Sequence, residues 1–406
     1  MCSRMLGELC SFSRGASVPR ARMHEDGDYL YIHYGDLYKG FELRIDVNEP
    51  QKPIPYITSD ERIKDGQWLQ DQDIVYVLTS ETVDDLGHSF LFNNPEGIPA
   101  VAGTETTIVR VEHRDLLEPA YLNYLMHTPR FKLLLRQYVK GMKVFRVHPD
   151  DLSRIEINLP SLNDQRKTVA LLDAIFGKQI VARRTNDYLL DLGTAQFEAA
   201  LQTDCREVRF GDIVELEDSK RIPLNSRDRE QRKGPYPYYG ATSVMDYVDD
   251  YLFDGIRILL GEDGSVITDD GYPVLQYVWG KYWVNNHAHI LKPCDEYPME
   301  MLYVALSRTA IPHIVTGAVQ KKISQKNLNS LILEMPNPED VKGLEGLFSL
   351  YRNNVDENKE LEQLRDCLLP KLMSGKIDVS EVELPTLPNN HLHVFLSTAP
   401  LRLSAR

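Results

Sequence analysis

Seven positions of this chain recur at one fixed offset. Val139, Gly141, Val147, Leu152, Ile155, Ile157 and Pro160 return 176 residues later as Val315, Gly317, Ile323, Leu328, Leu331, Leu333 and Pro336, with no gap between them and free variation at the intervening positions. Apolar positions plus one glycine and one proline are what two copies of a packed unit retain when only the scaffold is shared. A period of this length is too long for a solenoid, so it marks a duplicated domain. Upstream, Ile74-Val-Tyr-Val-Leu78 resembles Ile256-Arg-Ile-Leu-Leu260, and Tyr121-Leu-Asn-Tyr-Leu125 resembles Met301-Leu-Tyr-Val-Ala305.

Each copy is followed by a segment of different character. From Asn163 to Gln202 the chain is rich in helix formers and free of proline, and Val169, Leu172 and Phe176 open an apolar seam at helical spacing. Pro160 and Ser161 mark the start, with Asn163 and Asp164 as candidate N-caps. After the second copy, Val341, Leu344, Phe348, Tyr351 and Val355 follow the three-four rule. Leu361, Leu364 and Leu368 resume it after a phase slip, and the helix is expected to end near Pro370. One such helix would lie on its own domain's core. Two at equivalent places favour an antiparallel coiled-coil pair, with Arg183 to Asp187 and Asn358 as polar positions that set register or face water. The copies themselves read as mixed α/β. Short β-rich runs (Asp28–His33, Asp73–Leu78, Thr106–Val111, Ile256–Leu260, Tyr282–Leu291) accompany one helix each, Pro119–Tyr138 and Met299–Ile311. The resulting division is 1–160, 161–203, 204–338, 339–377 and an irregular tail, 378–406.

The chemistry of common enzymes is missing. G-x-x-x-x-G-K-[ST], G-x-G-x-x-G and the Asn-Pro-Pro-Tyr or Asp-Pro-Pro-Tyr stretch of adenine methyltransferases do not occur. The five cysteines form no Cys-x-x-Cys pair, apolar runs are too short to span a bilayer, and Met1–Cys10 lacks the pattern of a signal peptide, so a cytoplasmic location is expected. His287-Ala-His289 and His391-Leu-His393 place imidazoles two apart, and Asp263, Asp269 and Asp270 form an acidic loop. A metal site is the sharper reading of these, and strand and solvated-turn residues are the plainer one.

Net charge is −14, and no segment holds more Lys and Arg than Asp and Glu. Only local patches can therefore serve a polyanion. Such patches stand at corresponding places. In the first copy Arg14, Arg20 and Arg22 surround Ser13–Pro19, and Lys140, Lys143 and Arg146 surround Gly141; in the second come Lys220, Arg221, Arg227, Arg229, Arg232 and Lys233, then Lys321, Lys322 and Lys326 around Gly317. Arg and Lys suit phosphates and guanine edges, and Tyr236, Tyr238 and Tyr239 suit a sugar or base. A single cluster is more often a solvated face; equivalent placement around Gly141 and Gly317 favours the functional reading.

Three stretches carry a family resemblance. Pro235-Tyr-Pro-Tyr-Tyr-Gly-Ala-Thr-Ser243 leading to Tyr251-Leu-Phe-Asp-Gly255, Leu159-Pro-Ser-Leu-Asn-Asp-Gln-Arg166, and Leu364-Arg-Asp-Cys-Leu-Leu-Pro-Lys-Leu-Met-Ser-Gly-Lys-Ile377 resemble type I restriction-modification specificity subunits, over roughly residues 5 to 384. The resemblance implies a non-catalytic subunit with two target-recognition domains, each reading half of a split duplex-DNA sequence, separated by two helices that pair antiparallel and dock methyltransferase subunits, two in number. Restriction subunits would join through those. S-adenosylmethionine, ATP and magnesium would be bound by the partners and not by this chain. DNA contacts are expected from Arg14, Arg20, Lys140, Lys143, Arg146, Lys220, Arg221, Tyr238, Tyr239, Lys321, Lys322 and Lys326. The helix seam and partner surface is expected at Val169, Leu172, Phe176, Leu344, Phe348, Tyr351, Val355, Leu361 and Leu364. A free-standing DNA-binding or assembly protein and a metal-dependent nuclease are the alternative readings.

Overall fold

The structure is a computed structural model that describes residues 2–38, 40–83, 85–317 and 320–382. It divides into two units, Met1–Lys178 with Glu360–Arg406, and Gln179–Lys359, so the duplicated copies and the halves of both long helices are shared between them. His391, His393 and most of the expected tail lie outside the described residues.

In the first unit, Cys10–Arg14, Thr106–Val111, Ile74–Val77, His88–Asn93 and Arg44–Asp46 form one sheet in that order. Ile74-Val-Tyr-Val77 is central and fully buried, as a run of β-branched and aromatic residues covered on both faces must be. A second sheet joins Tyr56–Ile57, Tyr29–Ile32 and Ala100–Ala102. The single helix expected over Pro119–Tyr138 is two, Pro119–Met126 and Pro129–Arg136. Pro129 cannot donate within a helix, and the Thr128 hydroxyl accepts from Phe131 N at 3.2 Å to start a new one.

The second unit repeats the plan with Val214–Leu216, Ala288–Pro293, Arg257–Gly261 and Leu275–Val278 in one sheet. Val244–Val248, Lys233–Tyr239, Lys281–Val284 and Phe253–Asp254 form another, and the helix Met299–Arg308 packs beside them. The run Tyr282–Leu291 is split between two strands, because Asn285 Oδ1 accepts from His287 N at 2.7 Å and turns the chain. At atomic detail the duplication is close. Glu156–Leu159 and Ile332–Met335 are equivalent strands, each paired antiparallel with the strand that opens its unit, Cys2–Met5 and Arg206–Arg209.

The central helix spans Leu162–Thr203. Ser161, rather than Asn163 or Asp164, is its cap: the Ser161 hydroxyl accepts from Asp164 N at 3.2 Å and donates to the Asp164 carboxylate at 2.7 Å. Gln165, Thr168, Leu172, Gln179, Ala182, Asn186, Gly193 and Ala200 are buried at coiled-coil spacing. In the first unit Leu172 shares a core with Leu369, Leu372 and Met373 of the distal helix, Gly343–Met373. In the second, a Cβ on Gly193 would sit 3.3 Å from Leu344, so the helix backbones approach closely there. Asn186 donates to Tyr351 O at 3.2 Å and accepts from Asn354 at 2.8 Å, which sets the register of an antiparallel pair.

Two expectations for the distal helix are corrected. No phase slip occurs: Val341, Leu344, Phe348, Tyr351, Val355, Asn358, Glu362, Arg365, Leu369 and Leu372 keep the alternation of three and four, so Leu364 is off the seam and 46 % exposed, and Leu361 stands beside it. Nor does Pro370 end the helix. Burial of Leu369, Leu372 and Met373 offsets the hydrogen bond that Pro370 cannot make. The end comes at Gly375, with φ of 69°, where Gly375 N meets Leu372 O and Lys376 N meets Lys371 O at 3.1 and 2.9 Å.

Candidate nucleic-acid interface

The recurring glycines build the same hairpin twice. Gly141 and Gly317 hold φ of 119° and 89°. A Cβ on either would fall 2.0 Å from Val144 O or 2.1 Å from Gln320 O, so the turn closes only around glycine. In the first, Lys140 and Arg146 exchange backbone hydrogen bonds of 2.9 and 2.8 Å; in the second, Thr316 pairs with Lys322. Lys140, Lys143, Arg146, Lys321 and Lys322 are all exposed on these hairpins, and Lys326 is exposed on the short helix that follows the second.

Strand register extends the equivalence into the sheets. Thr106 pairs with Val77 and Arg146 with Thr79; correspondingly Ala288 pairs with Gly261 and Lys322 bridges Asp263. Val147 N donates to Leu78 O at 3.0 Å, as Ile323 N does to Glu262 O at 2.9 Å. Arg14 faces Thr107 across its sheet, and continuing the pairing of Leu216 with Leu291 brings Asp218 opposite His289. Thus Thr79, Glu105, Thr107, Arg14 and Arg146 occupy the same backbone positions as Asp263, His287, His289, Asp218 and Lys322.

Those shared positions carry different chemistry. In the first domain they line a hollow of about 510 Å³, together with Ser17, Lys140 and His148. Arg14 Nη2 meets His148 Nε2 at 2.5 Å, and Lys140 Nζ reaches Asp151 at 3.1 Å. In the second domain a buried ionic network stands at the corresponding residues. His289 Nδ1 meets Asp218 at 2.6 Å and its Nε2 meets Ile323 O at 2.9 Å, so both ring nitrogens face acceptors. Arg221 binds Glu262 at 2.8 Å, Gln325 donates to Asp218 at 2.7 Å, and Lys322 reaches Glu262 at 3.3 Å. Burial opposes charge on His289, but the hydrogen bond and charge of Asp218 outweigh it and raise its pKa; against burial, His289 with the Ile290 and Gln325 N–H donors lowers Asp218, and Arg221, His289 and Lys322 lower Glu262.

Asp218, Glu262 and His289 are the one group among the described residues whose ligand atoms approach within 4.8 Å of one another. Arg221 between the carboxylates and the doubly engaged imidazole make it an ion-pair network rather than a metal cradle. His287 is separate: it is half-buried and meets Asp263 at 2.6 Å. Asp269 and Asp270 lie exposed in the turn before Gly271.

Several expected DNA contacts are withdrawn from the surface. Tyr238 is 1 % exposed, with its hydroxyl accepting from Leu224 N at 2.9 Å and Arg229 over its ring. Tyr239 packs edge-on against Tyr282, and burial pushes its hydroxyl up to about 12. Arg221 is enclosed by the network, and Lys220, though exposed, is held by Glu217 at 2.6 Å. Arg20 is exposed but is not among the residues lining the first hollow. Glu105, which no motif flagged, is in that lining and accepts from Thr79 Oγ1 at 2.6 Å and Arg146 at 3.3 Å.

A family model for the type I restriction modification DNA specificity domain matches residues 2–187 and again 203–365. The chain belongs to the type I restriction modification DNA specificity family. A Haemophilus influenzae protein named as a type I restriction enzyme specificity subunit is 29 % identical over 143 residues, 34 % of this chain and 36 % of that protein, so the match spans about a third of the relative. The MjaIX type I restriction enzyme specificity subunit of Methanocaldococcus jannaschii is 23 % identical over 309 residues, 66 % of this chain and 71 % of the relative. The crystal structure of the S subunit of a type I restriction-modification system from M. genitalium covers 91 % of this chain and 95 % of its own at 16 % identity, with a TM-score of 0.55, and so shares the fold. The family is one of specificity subunits, which accords with a sequence lacking catalytic motifs. Among the described residues no helix is long and apolar enough to cross a membrane.

Proposed function

We propose that each α/β domain of this specificity subunit reads one half of a split duplex-DNA target, and that the paired helices fix the unread gap between the halves. The observation that carries the reading is the twofold occurrence of one hairpin, closed around Gly141 and Gly317, that presents exposed lysines and arginines beside strand ends at matching positions. Cations placed there engage phosphates, and the polar residues beneath them face base edges. With a net charge of −14, the chain alone holds DNA weakly, and partner chains supply the remaining phosphate neutralisation.

Those partners are two methyltransferase subunits, with restriction subunits joined through them, acting on DNA in the cytoplasm. S-adenosylmethionine, ATP and magnesium belong to the partners, and an adenine in each half is the methylated base. The helix residues named from sequence, Leu172, Phe176, Leu344 and Phe348, are buried within the chain's own units. Docking falls instead to Val181, Tyr188 and Leu192, which are 59 %, 72 % and 47 % exposed on one stripe of the central helix. A map of N6-methyladenine in cells with and without the gene tests the reading. Loss of methylation at a split motif on deletion supports it, and no change at any motif while the methyltransferase is expressed refutes it.

A further inference from the structure

The cationic hollow of the first domain contains one carboxylate among its lining residues, Glu105. Around it stand Arg14, Lys140, Arg146 and His148, a set suited to a polyanion. A carboxylate repels a phosphate, and beyond its partners Thr79 and Arg146 the surface that Glu105 leaves open suits a donor; the donors on a DNA surface are the amino groups of base edges. Glu105 is also held with unusual care. Its backbone lies in the left-handed region at φ of 58°, which a residue without a local reason avoids. Its two oxygens are fixed separately, by Thr79 at 2.6 Å and Arg146 at 3.3 Å, while its side chain keeps about a third of its surface (35 %) in solvent. A second hollow of about 490 Å³, lined by Tyr34, Tyr38, Ser80 and Thr82, shares Thr79, Glu105 and Arg146 with the first, so this cluster is the partition between two concave surfaces.

The second domain holds a different trio at the same three positions. Asp263 replaces Thr79, His287 replaces Glu105 and Lys322 replaces Arg146, with His287 Nδ1 fixed by Asp263 at 2.6 Å and the ring 45 % exposed. The strand pairing beside the trio is kept, Val147 N to Leu78 O and Ile323 N to Glu262 O, while its chemistry is exchanged, as expected where two copies of one scaffold read different sequences. We propose that Glu105 and His287 are the base-reading residues at equivalent positions of the two recognition domains. Glu105 accepts from the exocyclic amine of cytosine or adenine, and His287 presents Nε2 to a base in the other half. Thr79 and Asp263 are the positioning residues that hold them.

This assignment rests on the split-target reading and adds residues to it. The experiment uses the chain assembled with its methyltransferase partners and compares the DNA selected from a random duplex pool by wild type, Glu105→Gln and His287→Gln. Glu105→Gln should lose on the order of tenfold preference at one base position in one half, because an amide can both donate and accept and so admits guanine and thymine edges. His287→Gln should do the same in the other half only. Should Glu105→Gln fail to assemble, Thr79→Val removes one of its holders and must shift preference at one position of the same half. A split motif in wild type with unchanged preferences in Glu105→Gln, or in Thr79→Val where that stands in, overturns the assignment while leaving the split-target reading intact. A wild-type complex that selects no split motif overturns that reading and the assignment together.

Discussion

Adding one methyl group at Gly141 should silence one half of the target while leaving the protein folded. In Gly141→Ala the new Cβ would fall 2.0 Å from Val144 O, about 1 Å inside the closest real contacts, on a backbone at φ of 119°. A non-glycine residue in this region costs about 1–2 kcal/mol. Moving the Val144 carbonyl also loosens the two Lys140–Arg146 backbone hydrogen bonds of 2.9 and 2.8 Å. At about 0.5–1.5 kcal/mol each, the closed hairpin loses roughly 3 kcal/mol in all, and its population relative to the open one falls about a hundredfold. Because the hairpin is exposed, it opens locally instead of unfolding the domain, and the melting temperature should move little. The assay is affinity of the assembled complex for three duplexes: the intact target, one with the first half scrambled and one with the second scrambled. Gly141→Ala should bind the intact target more weakly, by up to about a hundredfold, and become indifferent to scrambling one half only. Gly317→Ala, whose Cβ would meet Gln320 O at 2.1 Å, should become indifferent to scrambling the other. If either variant retains full discrimination, or both lose the same half, the hairpins do not present the DNA contacts.

Three further outcomes follow from the geometry. Lys321→Ala with Lys322→Ala should weaken recognition of the half read by the second domain alone, as measured by methylation at each half; equal loss at both halves would contradict it. Leu344→Ala removes a fully buried side chain and should cost about 2–5 kcal/mol in calorimetry, whereas Leu364→Ala, 46 % exposed, should change stability by roughly 0.5 kcal/mol or less. His289 has a raised pKa, so its contribution is complete below the ordinary histidine value of about 6.5 and is lost as pH rises through the folded value; Asp218 and Glu262 are lowered, so theirs is lost toward acid. Thermal unfolding of the second unit should therefore peak at mildly acidic pH, and His289→Gln should flatten the alkaline side of that curve.

The duplication was legible because core positions tolerate little: Leu152, Ile155 and Ile157, and Leu328, Leu331 and Leu333, are all buried at matching places. Helix location was legible for the same reason, since a buried stripe repeats at the period of the helix. The seam through Glu362 and Arg365 was not, because long side chains lie along an interface while keeping charged ends in water, and Leu361 and Leu364 offered a more apolar but incorrect path. Charge runs misled in the site. Arg221 reads as a surface cation beside Lys220, but its partner Glu262 is 41 residues away, just past the strand Arg257–Gly261, a distance that local sequence cannot bridge. Tyr238 likewise sits in a motif full of exposed-looking tyrosines, and only strand pairing reveals which one turns inward. Glu105 carries no pattern at all; its setting comes from a turn and from Arg146, contributed by a hairpin remote in the chain.

The ionic network under the second domain's hairpin constrains how that domain can change over generations. Thr107 and Leu78 in the first domain are uncharged, and either can be exchanged without leaving a charge stranded. At the equivalent places His289 and Glu262 are each tied to Asp218 or Arg221, and removing one member of a buried pair costs about 3–5 kcal/mol. A single substitution there is a loss that a second must repair, so viable variants are reached by compensating pairs rather than by independent steps. The positions beneath the two hairpins therefore face unequal mutational landscapes: Thr107 and Leu78 can change one at a time, whereas His289 and Glu262 change together with the partners that hold them.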